Sequence, residues 1–161
     1  MKIRGDQLKK RAAEAGLPVE QLAGAIARKG LDGDKAVSAV GNWMRGNDHP
    51  HCKAEDIRKL AGALGCAVSD IARFTCVFRY HRGSPRKVSL VVDLIRGKGV
   101  DEALNMLTFT TKRAAVDVKA ALNSAIADAE QLDVDVTTLF VAESRVDQGP
   151  VMKRFQPKDR G

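Results

Sequence analysis

Within residues 1–74, four stretches of helical apolar spacing each run up to a glycine, a punctuation that limits this half of the chain to short packed helices. Residues 6–15 stop at Gly16, 18–29 at Gly30, 35–45 at Gly46 and 54–64 at Gly65. Just past a last turn, glycine takes the left-handed conformation without steric cost. Pro18 suits a first turn, where its missing N–H has no partner to lose. Leu22, Ala23 and Ile26 fall on one face of the second helix, and Val40, Trp43 and Met44 on one face of the third. Ile57, Leu60, Ala61 and Leu64 do so on the fourth, and a short fifth turn runs through Val68 and Ile71. The expectation for residues 1–74 is an all-α domain of five helices.

The pattern changes near Phe74. Residues 75–80 (TCVFRY) suit a strand. Ser84 and Pro85 then open a helix in which Val88, Val91, Val92 and Ile95 follow the i, i+3, i+4, i+7 rule, and Gly97 closes it. Basic residues stand at both of its ends. Residues 100–107 predict a short helix with Asp101 and Glu102 in the first turn, where the helix dipole favours carboxylates. Residues 111–132 predict a long helix with the seam Ala115, Val118, Leu122, Ala125, Ala129 and Leu132, whose alanines permit close approach to a sheet. Residues 137–146 alternate as a strand. Gly149 and Pro150 mark a turn, and residues 149–161 read as an extended basic arm. The fold class expected for the whole chain is α+β, with a domain boundary after Phe74.

Lys and Arg number 27 against 20 Asp and Glu, giving a net charge of +7 and a pI near 9.5, which favours an anionic partner, nucleic acid before membrane surface. Aromatic residues make up 4% of the chain, too few to suggest an extended stacking platform for single strands. No stretch approaches the roughly 18 apolar residues of a membrane span, and the first residues lack a signal-peptide apolar core. Cys52, Cys66 and Cys76 are an odd, unpaired set that reads as reduced thiols in a cytoplasm-like compartment. His49, His51 and Cys52 invite a zinc reading. A structural site takes four ligands as two close pairs, however, and Cys66, Cys76 and His81 form no second pair, so neither metal nor cofactor is expected. Asp133 and Asp135 read as turn formers. With no phosphate-cradling glycine loop and no nucleophile–base spacing, the chain is not expected to be an enzyme.

The segments HRGSPRKVSLVVDLIRGKGVDEALNML, TKRAAVDVKAALNSAIADAE and VDQGPVMKRF together resemble the large-subunit ribosomal protein family called L-twenty-two, over about residues 75–161. The resemblance implies a small body of three helices on an antiparallel sheet that binds large-subunit rRNA beside neighbouring ribosomal proteins. It also implies a long hairpin lining the nascent-peptide exit tunnel. It assigns RNA contacts to Arg82, Ser84, Arg86, Lys87, Arg96, Lys98, Lys112 and Arg113 in the body. In the arm it assigns them to Lys153, Arg154, Phe155, Pro157, Lys158 and Arg160. Met152 and Phe155 read equally as packing residues. Ser89 stands where the family usually has arginine, which removes one backbone contact. The family's returning strand has no counterpart after Gly161: it is cut away, or the tip is disordered, or tunnel lining is reduced. Localisation follows the ribosome, in the cytoplasm or an organelle.

LKKRAAEAGLPVEQLAGAIARKG, VSAVGNWMRGN and KAEDIRKLAGALGCAVSDIARF resemble the Cro/cI-type helix-turn-helix family over about residues 6–74. In that family the third helix enters the DNA major groove. The matching candidates are Lys35, Ser38 and Asn42 for base edges and Arg45 for phosphate, with Val40 and Trp43 in the core. The same helix is expected to expose Ala36, Ala39 and Gly41, which carry no directed hydrogen bonds. The loop before it is long and bears Asp32 and Asp34 near the phosphates. The favoured reading is therefore a ribosomal protein whose helical addition packs on rRNA or a protein neighbour. The rival is a DNA-binding regulator with a borrowed RNA-binding domain.

Overall fold

A computed structural model of the chain describes residues 1–151 and 153–158. Among the described residues the chain is helix-rich with one two-stranded antiparallel sheet, and it divides into two compact units. The first comprises Met1–Val77 and Ala120–Leu139; the second comprises Phe78–Lys119 and Phe140–Gly161. A boundary after Phe74 thus leaves out what residues 120–139 add to the first unit.

The first unit contains β1 (Lys2–Ile3), α1 (Gly5–Ala15), α2 (Val19–Ile26), α3 (Asp34–Met44), α4 (Ala54–Leu64), α5 (Val68–Ile71) and β2 (Ala72–Arg73). The apolar faces read from the sequence converge: Leu22, Ile26, Val40, Trp43, Ile57, Leu60 and Ile71 are all buried in one cluster. Gly16 and Gly65 end α1 and α4 in the left-handed conformation, at φ 64° and 62°. Helix α2 stops at Ile26 rather than running to residue 29, because Leu31 turns back into the core and pairs with Arg28 as an isolated bridge. That buried leucine explains the length of the loop before α3. Trp43 is 2% exposed, and its indole Nε1–H donates to the Pro50 carbonyl at 2.8 Å.

Two expectations for α3 are corrected here. Ala36 and Ala39 are buried at 1% and 0% exposure rather than presented to a partner. They share a face with Val40 and Trp43 and let neighbouring helices approach closely.

The sheet also differs from expectation. It pairs Lys2 with Arg73 and Ile3 with Ala72, in the first unit, instead of lying under the later helices. Residues 75–80 are not a strand, and Phe78 and Tyr80 are exposed. Residues 137–146 are not a strand either. Val136–Thr138 forms a 3-10 turn in which the Asp135 carboxylate accepts from the Thr137 amide at 3.0 Å and its hydroxyl at 2.7 Å. These bonds hold the Asp135 carboxyl below the usual carboxylate range and offer the backbone a local alternative to a ladder.

The second unit holds α6 (Pro85–Ile95), α7 (Val100–Phe109) and the start of α8 (Ala114–Glu130). Helix α8 is shorter at both ends than residues 111–132. Val91, Val92 and Ile95 of α6 are buried and Val88 half-buried, while α7 buries Val100, Ala103 and Leu107. In place of a full strand, residues 140–144 are tied down by an isolated antiparallel bridge of Phe140 with Gly99 and by bonds to α6 and the segment after it. The Val141 N–H donates to the Lys98 carbonyl and Gly97 N–H to the Val141 carbonyl, each at 2.8 Å, and the Ser144 hydroxyl donates to the Val92 carbonyl at 2.9 Å. Among the described residues no helix is long and apolar enough to cross a membrane.

Candidate nucleic-acid interface

Helix α6 begins with an arrangement that lacks its usual counter-charge. Ser84 is the N-cap, and its carbonyl accepts from the Lys87 and Val88 amides at 3.0 and 3.1 Å, but its hydroxyl makes no cap bond. Pro85 supplies the first helical position. The first turn then presents Arg86 and Lys87, both exposed, and no carboxylate. Cations at a helix N-terminus oppose the dipole by about 0.3–1 kcal/mol each. A phosphate placed there would meet unsatisfied amides, the positive dipole end and two side-chain cations together. Arg82, just upstream, is exposed, as are Lys112 and Arg113 immediately before α8; none of these five makes an ion pair among the described residues.

The cations at the other end of α6 are engaged. Arg96 Nη2 lies 2.7 Å from Asp93 and also donates to the Ser144 carbonyl at 2.6 Å, with Nε adding a second bond at 3.2 Å. Lys98 Nζ is 2.8 Å from Glu102. These two side chains pin residue 144 and the start of α7, a role the sequence reading did not foresee. The arm residues Lys153, Arg154, Phe155, Pro157 and Lys158 are exposed and outside regular structure. Arg160 and Met152 lie outside the described residues.

In the first unit, Lys35, Ser38 and Arg45 are exposed and Asn42 is half-buried. Two of the four are committed internally. The Asn42 amide donates to the His49 carbonyl at 2.9 Å, which fixes the loop after α3, and Arg45 Nε donates to the Gly41 carbonyl at 3.0 Å. The residue best suited to read a base edge therefore serves the fold. The HPHC segment is similarly structural. The Asp48 carboxylate sits 2.9 Å from His51 Nδ1 and accepts from the Cys52 amide at 3.4 Å. Cys52 is buried, Cys66 half-buried and Cys76 exposed. Among the described residues no three His, Cys, Asp or Glu side chains are grouped as metal ligands.

The Arg28–Asp56 pair and the Phe78–His81 ring contact were not anticipated from the sequence. The second carried a local signal, aromatics interleaved with arginines in FRYHR. The first carried none, since its partners come from separate elements.

Residues 76–161 match the family described as Ribosomal protein L22p/L17e. The chain is similar to the large ribosomal subunit protein uL22 of Magnetococcus marinus, at 54% identity over 84 residues, 52% of this chain and 74% of that protein. It is similar to the uL22 protein of Syntrophotalea carbinolica at 55% over 84 residues, 52% of this chain and 76% of that one. For the uL22 protein of Clostridium tetani the figure is 48% over 86 residues, 53% of this chain and 78% of the relative.

Proposed function

The chain belongs, through residues 76–161, to the ribosomal protein L22p/L17e family, and from that premise we propose that it is a structural, non-catalytic constituent of the large ribosomal subunit that binds large-subunit rRNA. One observation carries the reading: inside the family segment, the α6 N-terminus gathers Arg82, Arg86 and Lys87 with no carboxylate in the first turn. Lys112 and Arg113 add to this set. Arginine and lysine neutralise phosphates and release counterions, the main source of RNA affinity. Structured RNA is read largely through shape and backbone, which suits cations without a fixed base code. Arg96 and Lys98 act chiefly as internal clamps, and Arg96 keeps Nη1 for a phosphate. The arm, with Lys153, Arg154 and Lys158, cannot bury a core of its own and orders against RNA, where it contributes to the exit-tunnel wall. The first unit packs on rRNA or a protein neighbour. The DNA-regulator alternative gains no support, since the Asn42 amide, the group best suited to read a base edge, is committed internally.

Sucrose-gradient sedimentation of a lysate at modest salt tests the assignment. The chain is expected in large subunits, and a chain found mostly outside them sinks the reading. Replacing Arg86 and Lys87 together by alanine should weaken rRNA binding and reduce the slope of log K against log salt by about 1 for each lost phosphate contact. An unchanged slope would show that neither side chain touches the backbone.

A further inference from the structure

The low aromatic content of the chain conceals a local concentration. Its single tyrosine stands two residues from one of its five phenylalanines, within FRYHR. Tyr80 is 89% exposed and Phe78 56% exposed. Tyr80 sits at φ 59°, in the left-handed region that a bulky side chain rarely adopts. Such a conformation persists where its surroundings hold it, and it is concentrated at ligand-binding positions.

The next residue, His81, is held in place by three neighbours. The His81 ring tilts against Phe78, with centroids 6.0 Å apart and planes at 51°. Its Nδ1 lies 3.3 Å from the Asp117 carboxylate of α8. Its other side rests on Gly83, where an added Cβ would fall within 2.9 Å of the ring's Cδ2. The histidine is thus wedged between a phenylalanine, a carboxylate and bare backbone, and the adjoining Tyr80 is left exposed. Residues 78–92 contain Arg79, Arg82, Arg86 and Lys87 and no Asp or Glu.

We propose that Phe78, Tyr80 and His81 form a stacking surface for an unpaired RNA base, with Arg79 and Arg82 taking the phosphates on either side of it. This rests on the rRNA-binding reading and names the part of the RNA that this face accepts. An exposed aromatic pair could also meet an apolar protein surface. The cations of residues 78–92 outnumber the one facing carboxylate, Asp117, which is taken up by His81; this favours a polyanion, and a base offers the π-face that an aromatic ring and a guanidinium both stack on. A fixed histidine and an outward tyrosine present this surface with little left to order on binding.

The test uses the full chain and two single-stranded probes of equal length and phosphate number, a 12-nucleotide oligoadenylate (about one binding-site length) and the same strand without bases. Wild type should bind the base-bearing strand roughly tenfold more tightly, the value of about one stacked base. Tyr80→Ala should erase that preference without changing affinity for the base-free strand. Tyr80→Phe should retain it, since the ring and not the hydroxyl is required. Because Tyr80 is exposed, neither substitution removes a core contact. Equal affinity of wild type for the two strands overturns the proposal and leaves the aromatic pair to a protein partner. A preference that survives Tyr80→Ala overturns it as well. Sedimentation with large subunits is scored separately: if it persists while base preference is absent, the rRNA reading stands and stacking alone is lost.

Discussion

Asp56 is the one charged side chain fully buried among the described residues, and its surroundings explain how the first unit tolerates it. One carboxylate oxygen accepts from the Lys53 amide at 3.0 Å, reaching back from the third position of α4 to its N-cap, and meets the Arg28 guanidinium at 3.0 Å. It closes the helix start and ties it to Arg28, two residues past the end of α2. Removing one partner of a buried pair leaves the other charge uncompensated. Asp56→Ala is therefore expected to cost about 3–5 kcal/mol, measured by urea denaturation followed at Trp43. Nearby Cys52 is buried, and burial, reinforced by the charges of Asp56 and Asp48, pushes its thiol up to about 12. The folded thiol keeps its proton where an unfolded thiol, with its ordinary value of 9.0, loses it. This contribution to stability is complete below about pH 9 and falls as the pH rises toward 12. A chain with Cys52→Ala should show a shallower loss of stability across that alkaline window. At pH 8, iodoacetamide should modify exposed Cys76 readily and Cys52 only on unfolding.

At the scale of elements, the helices were legible and the strands were not, for a physical reason. A helix face is a local property, so the spacing of Leu22 and Ile26, or of Val91, Val92 and Ile95, declares itself within two turns. A strand needs a partner that the local sequence does not name. Lys2–Ile3 and Ala72–Arg73 pair across the whole first unit over two residues each, too short to leave a pattern. Residues 137–146 alternate well, yet Asp135 captures Thr137 in a 3-10 turn, and the ladder is reduced to an isolated antiparallel bridge between Phe140 and Gly99. The candidate RNA-binding cations were legible as charges, but the division between Arg86 and Lys87, which make no ion pair among the described residues, and the clamping Arg96 and Lys98 is set by the fold. Ala36 and Ala39 show a different failure: alanine carries little hydropathic signal, so the width of the buried stripe on α3 was underestimated. Their burial makes a sharp prediction. Ala39→Leu should overpack the core and cost about 1–3 kcal/mol, whereas on an exposed helix face it would change little. Thermal unfolding distinguishes the two.

For the whole molecule, the informative fact is which segments complete the first unit. Residues 120–139 lie inside the stretch matched by the ribosomal family, yet they pack with residues 1–77. Leu132 is 3% exposed within the cluster that includes Trp43 and Ile57, and Val134 packs against it. The amino terminus lies 3.2 Å from Asp128, and Arg58 pairs with Asp133 at 2.9 Å, though the exposure of that second pair makes it worth little. The hydrophobic contact therefore dominates. The helical addition uses part of the ribosomal segment as its own core, unlike a module strung on a linker, and a regulator that must act apart from its ribosomal half would have to break that core. Leu132→Ala should accordingly destabilise the first unit by about 2–5 kcal/mol. Trp43 is the only tryptophan in the chain and lies in that unit, so its fluorescence reports the transition selectively. A shift of the Trp43 midpoint to lower urea in the Leu132→Ala chain would establish that residues 1–77 depend on the family segment for their stability. An unmoved midpoint would show that they fold by themselves, and would return the separable-regulator reading to contention.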